Sequence, residues 1–295
     1  MINKNWLVAL IAILPLGLTA QEKINKFKSS SVSLMPYASI GTGSVSTLDD
    51  FRKLAPNSTL LPDDLNGYNS SNYNVSSGSA GTAVLLSFKL RDKAGSGYRP
   101  NPLFRIGLSY NYNQSLTNNA YKEEKFAYDT LISANTGGRT PVDSVSYSSY
   151  NMDYSSQFVR LDASVIYRTN PEARWNFYGG FGATFGVSIA SQTNVYYHEY
   201  YYIQPNDNES SIFITQNGAN GEHENEVTKN ETSLAYSAYI PLGLDFRIAN
   251  KSEFWQRVHL FYEMRPSLEM HSIPELSTYT TVAWQHGFGI KVQWF

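Results

Sequence analysis

The C-terminal stretch, from Thr280 to Phe295, constrains the fold more than any other part of the chain. Its even-numbered positions from Val282 carry apolar or aromatic side chains and His286, whereas its odd-numbered positions up to Gln293 carry small or polar ones. A period of two residues predicts a β-strand with two unlike faces. The stretch exceeds the usual strand length of about five or six residues, but a tilted strand that crosses a membrane needs about nine to eleven. We therefore predict that the chain ends in a membrane-spanning strand.

The N-terminus has the layout of a secretory signal peptide. Lys4 precedes an uncharged, largely apolar run from Trp6 to Leu18, and the small residue Ala20 follows. A positive start, an apolar run and a small residue before the cleavage site define such a peptide, so we predict cleavage after Ala20. The alternative is a membrane-anchoring helix, which needs about 20 apolar residues and therefore more than this run provides.

Composition narrows the class of protein. The 295 residues have a mean hydropathy of −0.35, which is too polar for a helical membrane protein. They nevertheless include 22 Tyr, 15 Phe and 5 Trp, which suits aromatic girdles at two membrane interfaces. The absence of Cys excludes structural disulfides and thiolate chemistry. The formal net charge of −2 offers no basic excess for nucleic acid.

Seven further segments alternate like the C-terminal one, which gives eight predicted strands. In each segment apolar side chains occupy one parity and small, polar or charged side chains the other, so one face suits lipid and the other an interior. The first segment also contains Pro36, which is unfavourable in a paired strand. The predicted strands cover residues 31–44, 78–90, 104–113, 159–168, 175–189, 233–247, 257–265 and 280–295.

The connections between these strands alternate in length. Those after the second, fourth and sixth strands are short and rich in turn residues, whereas those after the first, third and fifth are much longer. Short periplasmic turns and long extracellular loops are typical of outer-membrane barrels, whereas a soluble β-sandwich has no reason to sort its loops by length. Residues 121–133 and 142–150 offer a ten-strand alternative. Charges on both faces of the first, at Lys122 and Glu123, favour a hairpin above the membrane instead.

Together these features resemble the small Gram-negative outer-membrane β-barrel family, of the eight-stranded OmpA/OmpX type without a periplasmic domain. The closing residues match the family's C-terminal assembly signal, although Phe295 falls on the opposite parity from the other apolar residues. The resemblance implies a signal peptide at residues 1–20, a short periplasmic segment at 21–30, and a barrel domain at 31–295 with both termini in the periplasm. It also implies outer-membrane lipids as surroundings and the barrel-assembly machinery as a partner during biogenesis. The assembly-signal residues are Gly289, Ile290, Val292, Trp294 and Phe295.

The inward parity carries many charged residues, which we predict to form a polar network inside the barrel. Eight strands leave an interior wide enough only for side chains or one small ligand. Buried charges must pair or reach water, so the carboxylates are expected among Arg neighbours. The alternative is a narrow small-solute or anion pathway, because the cations outnumber the anions. The predicted network contains Lys89, Arg105, Arg160, Asp162, Arg168, Asp245, Arg247, Arg257, Glu263, Arg265 and Lys291.

No motif specifies an enzyme. A lipid A-modifying or proteolytic site would need His with Ser, Asp or Glu near the outer rim, and the candidates are His198, His223 and His271, each beside such a residue. Their spacing does not specify a geometry, and nothing in the sequence fixes the distance between His198 and His223 for a metal site. We therefore predict no catalytic, metal or cofactor site, with His259 in the interior and His286 facing lipid.

Function is then expected to reside in the loops. The third long loop, predicted at residues 194–231, is rich in tyrosine, which gives a large contact area at low entropic cost. We predict a structural or binding role there, with another outer-membrane protein complex as the candidate partner, although the tyrosines would equally extend the neighbouring strands. Asp129-Thr130-Leu131 and Asp143-Ser144-Val145 also resemble a bacterial O-glycosylation acceptor. The candidate binding residues are Tyr196, Tyr197, Tyr200, Tyr201 and Tyr202.

Overall fold

The structure, a computed structural model, describes residues 26–42, 44–70, 76–92, 97–170, 173–205, 221–249 and 252–294. The predicted signal peptide and Phe295 lie outside this part of the chain. Among the described residues no helix has the length and apolar character needed to span a membrane. The strands are β1 (Phe27–Thr42), β2 (Ser44–Val45), β3 (Asn69–Ser70), β4 (Ser76–Arg91), β5 (Tyr98–Ile132), β6 (Arg139–Arg168), β7 (Trp175–Pro205), β8 (Glu222–Lys229), β9 (Leu234–Tyr239), β10 (Leu242–Arg247), β11 (Val258–Ser272) and β12 (Tyr279–Gln293); the helices are α1 (Leu48–Leu54) and α2 (Glu253–Arg257).

The long strands form a closed antiparallel ring with eight wall positions. The order is β1, β4, β5, β6, β7, β8–β10, β11 and β12, and β12 closes onto β1 with Val32 opposite Val292 and Ile40 opposite Trp284. Strands β8, β9 and β10 share one position because each pairs with a successive part of β7. Pro241 separates β9 from β10 because it has no N–H to donate to the ladder. The predicted eight-stranded antiparallel barrel is confirmed.

The two faces of the wall differ as the alternation predicts. The side chain of Phe181 is 74 % exposed on the outside and that of Phe288 68 %, whereas Asp162 inside is 1 % exposed. The exposed apolar residues form a belt around the ring that matches the lipid-facing surface of a transmembrane barrel. On β1, Pro36 is tolerated and Met35 packs inward against Ala83 and Phe261. This strand begins at Phe27, before the predicted start at Ser31.

Three strands continue far beyond the belt at one end, which we call the long-loop end. Residues 121–133 and 142–150, considered above as extra wall strands, instead prolong β5 and β6 and pair with each other, with Tyr121 opposite Ser149. β7 likewise runs on to Pro205 and pairs with β8. The result is a projecting four-stranded sheet, so the predicted third loop is strand at both of its ends. The opposite end carries the short connections, and we call it the short-turn end.

A folded cap, residues 46–65, covers the long-loop end of the lumen, where the sequence predicts only a long connection after the first strand. Helix α1 starts at a capping box in which Thr47 and Asp50 bond reciprocally. Phe51 and Leu54 of this helix are buried in a cluster with residues from the wall. Burial of such side chains is worth about 1.5–3 kcal/mol each relative to exposure, so the cap is held chiefly by this small core. The wall residues in the cluster are Leu116, Met152, Tyr154 and Val195, with Ile273 from the last connection.

Candidate functional site

The centre of the lumen is occupied by a carboxylate, Glu263 of β11, with 0 % exposure. Arg105 of β5 reaches across the lumen and donates two hydrogen bonds to it, at 2.5 and 3.1 Å. Arg265 donates from Nε at 2.5 Å and Tyr178 from its hydroxyl at 2.6 Å. This carboxylate is therefore surrounded by charge-assisted bonds of the strongest kind found in proteins.

Three further carboxylates continue the network. Asp162 accepts from Arg265 at 2.8 Å and from the Tyr239 hydroxyl at 2.6 Å. Asp245 is paired with Lys291 and, at 2.7 Å, with His259. His259 thus lies in the interior, where the sequence predicts it. Glu269, which the sequence analysis missed, lies 3.4 Å from both Arg160 and His271.

The remaining predicted members lie toward the short-turn end. Arg168 is buried, whereas Lys89 and Arg247 are half-buried. The placement of Arg257 in the interior is wrong. It closes the short helix α2 and forms an i,i+4 pair with Glu253 at 2.5 Å, with 40 % of its side chain exposed, because the strand begins one residue later at Val258.

Small residues make room for these bulky side chains. A Cβ added to Gly182 would collide with the ring of Tyr239, and one added to Gly243 with the ring of Tyr178. Two cavities in the lumen have volumes of about 20 Å³ each, which is room for roughly one water apiece. The middle of the barrel is thus packed with paired charges.

The predicted binding tyrosines divide between the two faces of the projecting sheet. Tyr196, Tyr200 and Tyr202 lie on the outward face, and the Tyr147 ring packs against that of Tyr200 with centroids 4.8 Å apart. Tyr121 of β5 extends this row, 6.1 Å from Tyr147. We call the outward row the aromatic face; it consists of Tyr121, Tyr147, Tyr196, His198, Tyr200, Tyr202 and His223.

Tyr197 and Tyr201 point to the other face and share one carboxylate. Their hydroxyls donate to Glu199 at 2.7 and 2.5 Å. The bonds from Tyr201 and then Tyr197 lower the pKa of the Glu199 carboxyl. Burial, followed by the bond to Glu199, raises the pKa of Tyr197. Tyr197 also packs against Tyr150, with ring centroids 4.8 Å apart, so it belongs to the wall beside the cap.

Of the three histidines considered for catalysis, His271 is buried in the barrel, whereas His198 and His223 lie together on the projecting sheet. His271 is buried against Glu269 and the rings of Phe158 and Tyr279, not at an open rim. His198 and His223 are directly opposite each other on β7 and β8, with their Nδ1 atoms 2.6 Å apart. The expectation that nothing fixes their distance is therefore wrong, because strand register fixes it. Within the described ranges, no group of three or more His, Cys, Asp or Glu residues comes together.

The C-terminal residues of the predicted assembly signal form the seam of the barrel. Ile290 and Val292 face outward, and Gly289 lies under the ring of Phe261, where a Cβ would collide. Trp294 donates from its backbone to Ser30 O at 3.0 Å and from Nε1 to Ser29 O at 2.9 Å. The last strand is thus tied to the first by both main chain and side chain.

Comparisons with known proteins give similarity in structure alone. No protein-family model matches the chain, and no curated protein sequence matches it. Among solved structures, the chain is similar to Neisserial surface protein A, with 10% identity and a TM-score of 0.35, over 92% of this chain and 100% of the other. It is also similar to Ail, the attachment invasion locus protein of Yersinia pestis, solved with the heparin analogue sucrose octasulfate, with 14% identity and a TM-score of 0.26, over 90% and 99%. The barrel assignment itself rests on the closed ring and its apolar belt.

Proposed function

We propose that this chain is a non-enzymatic integral protein of a Gram-negative outer membrane that acts as a structural or binding component through its projecting sheet. The observation that carries the proposal is the aromatic face, which spans four strands above the apolar belt. Aromatic side chains provide much of the contact energy in protein interfaces, and charged residues at the rim select the partner. Glu123, directly opposite Tyr147, and Lys125, which pairs with Glu123 at 3.1 Å, supply such a rim on the same face of β5.

A pore is the second candidate, and two observations weigh against it. The lumen is crossed by paired charges such as Arg105 with Glu263, and the two cavities described above are only about 20 Å³ each. The cap then covers the long-loop end. A narrow pathway for small solutes would need both obstacles to move, whereas a binding role needs neither to move.

The orientation follows from the family resemblance and stays part of the proposal. We place the short-turn end and both termini in the periplasm, after removal of residues 1–20, and the projecting sheet outside the cell. Outer-membrane lipids would surround the belt, and the barrel-assembly machinery would recognise the C-terminal strand. The expected partner is another outer-membrane protein complex.

Removing the whole predicted loop, residues 194–231, is a poor test of this proposal. It would delete Val195 from the cap core and would also remove Glu226 and Asn230, which bond to the cap. Point substitutions on the aromatic face avoid this problem. We expect Tyr147→Ser combined with Tyr200→Ser to abolish co-purification of partners from native membranes in mild detergent.

Tyr201→Ser is the matched control because it alters the same strand one residue away and on the opposite face. It should retain the partners. If the double variant keeps every partner that the unaltered chain captures, recognition does not use the aromatic face and the proposal fails.

A further inference from the structure

One side-chain cluster on the aromatic face has the chemistry of a metal site. His198 and His223 form a directly opposed cross-strand pair, their rings stack with centroids 4.4 Å apart, and their Nδ1 atoms are 2.6 Å apart. The Tyr196 hydroxyl lies 2.9 Å from the same Nδ1 of His223. We propose that these three side chains bind a divalent transition-metal ion of the Cu²⁺, Ni²⁺ or Zn²⁺ class.

The geometry requires little change to accept the ion. Imidazole nitrogens bind Zn²⁺ at about 2.0–2.1 Å, so two of them on one tetrahedral ion are about 3.3 Å apart. The two Nδ1 atoms must move apart by less than about 1 Å. The rings, which are 18° from parallel, must also tilt so that both nitrogen lone pairs point at the ion. Side-chain rotation provides both changes. Directly opposed residues on antiparallel strands have Cβ atoms about 4.5–5.5 Å apart, which holds both rings within reach of a single ion.

The donor set decides the class of ion. Imidazole suits Zn²⁺, Cu²⁺ and Ni²⁺, whereas Ca²⁺ and Mg²⁺ prefer six or more oxygens. Two imidazoles and one phenol, with water in the remaining positions, therefore favour the transition metals.

The coordinating nitrogens follow from the geometry. A histidine binds a metal through a ring nitrogen that carries no proton, and the atoms that face each other are the two Nδ1 atoms. Each ring would coordinate through Nδ1 and keep its proton on Nε2. Because β8 lies at the end of the sheet order, the ion would fasten this strand to β7 by a second kind of bond.

The test uses the full chain in detergent micelles, purified without a polyhistidine tag. Titration with Cu²⁺ followed by calorimetry should show one ion per chain, and electron paramagnetic resonance should show coupling to two imidazole nitrogens. His198→Ala and His223→Ala should each weaken binding at least tenfold. His286→Ala is the matched control, since this exposed histidine also contacts a tyrosine hydroxyl, that of Tyr262 at 2.6 Å, yet it lies on the barrel wall; it should leave binding unchanged.

A second measurement needs no variant and so does not depend on whether the variants fold. In the unaltered chain, Cu²⁺ or Zn²⁺ should protect His198 and His223, but not His286, from modification by diethylpyrocarbonate, as read by peptide mass. Absence of binding, binding that survives both alanine variants, or equal modification with and without metal would each overturn the proposal. None of these outcomes depends on partner capture, so the metal site and the binding function succeed or fail separately.

Discussion

Arg105 and Glu263 stand on strands that are not neighbours in the ring, and their two bonds cross the lumen. Arg265 links Glu263 to Asp162, so one continuous set of ion pairs joins β5, β11 and β6. Arg105 and Arg265 are thus paired with carboxylates of other strands across the lumen. This pairing stiffens the barrel and leaves neither of these two cations free for an anion pathway at this level.

Loss of Asp162 should be costly to stability. Asp162→Ala leaves Arg265 without one of its two carboxylates and the Tyr239 hydroxyl without its acceptor. Removing one partner of a buried pair typically costs about 3–5 kcal/mol, so the midpoint of urea unfolding in micelles should fall markedly. Glu253→Ala is the control, because its pair with Arg257 is exposed and such pairs are worth about 0–1 kcal/mol. Equal midpoints for the two variants would contradict the structural role of the network.

Planar-bilayer recordings should show no large, steady conductance. Packed ion pairs fill the lumen, so we expect silence both from the intact chain and from a variant in which the cap, residues 46–65, is replaced by a short Gly-Ser linker. A large open channel in the intact chain would contradict the filled lumen. A channel that opens only without the cap would show that the cap, not the charge network, is the barrier.

Strand parity predicts much of the charge network in the lumen. What parity does not predict has physical causes. Alternation alone places Asp162 and Glu263 inside. Continuing the same parity two and three steps beyond Arg265 reaches Glu269 and His271, because β11 runs on to Ser272. Which charges pair across the lumen depends on the register of the whole ring, which no single strand specifies. The cap was missed because the hydrophobic contacts that fold it are made with distant wall strands. The sequence names His198 and His223 as a candidate pair but cannot fix their distance, because the pairing of β7 with β8 lies in a segment that it predicts as a loop.

Removal of Trp294 and Phe295 should impair membrane assembly. Trp294 ties β12 to Ser29 and Ser30 of β1, so its loss weakens the seam at which the barrel closes. On a gel, folded barrels that are not boiled migrate at a different position from boiled, unfolded ones. We expect a smaller fraction of the unboiled truncated chain at the folded position and a larger fraction at the unfolded position. Trp255→Ala, which alters an exposed aromatic residue of α2, is the control. Normal assembly of the truncated chain would show that the match to the assembly signal is superficial.

The attachment of the cap to β8 should depend on one carboxylate and therefore on pH. Glu226 Oε2 accepts from the Ser58 hydroxyl at 2.5 Å and from the backbone N–H groups of Thr59 and Leu60 at 3.1 and 3.3 Å. The hydrogen bond from Ser58 is the largest cause that lowers the pKa of Glu226 below the 4.5 of a free carboxyl. A carboxyl with a lowered folded-state pKa contributes its stabilisation above the unfolded value and loses it as the pH falls through the folded one.

Glu226→Gln should therefore imitate the acid form at neutral pH. We expect amide hydrogens of residues 58–61 to exchange several-fold faster in this variant than in the unaltered chain at pH 7, because a neutral amide accepts weaker bonds. Below the lowered pKa of Glu226 the two proteins should exchange alike, since both then carry an uncharged group. Glu222→Gln, on the same strand but exposed, should leave exchange in the cap unchanged at either pH. Equal exchange in the Glu226→Gln and unaltered chains at pH 7 would mean that the hydrophobic core around Phe51 holds the cap without help from this carboxylate.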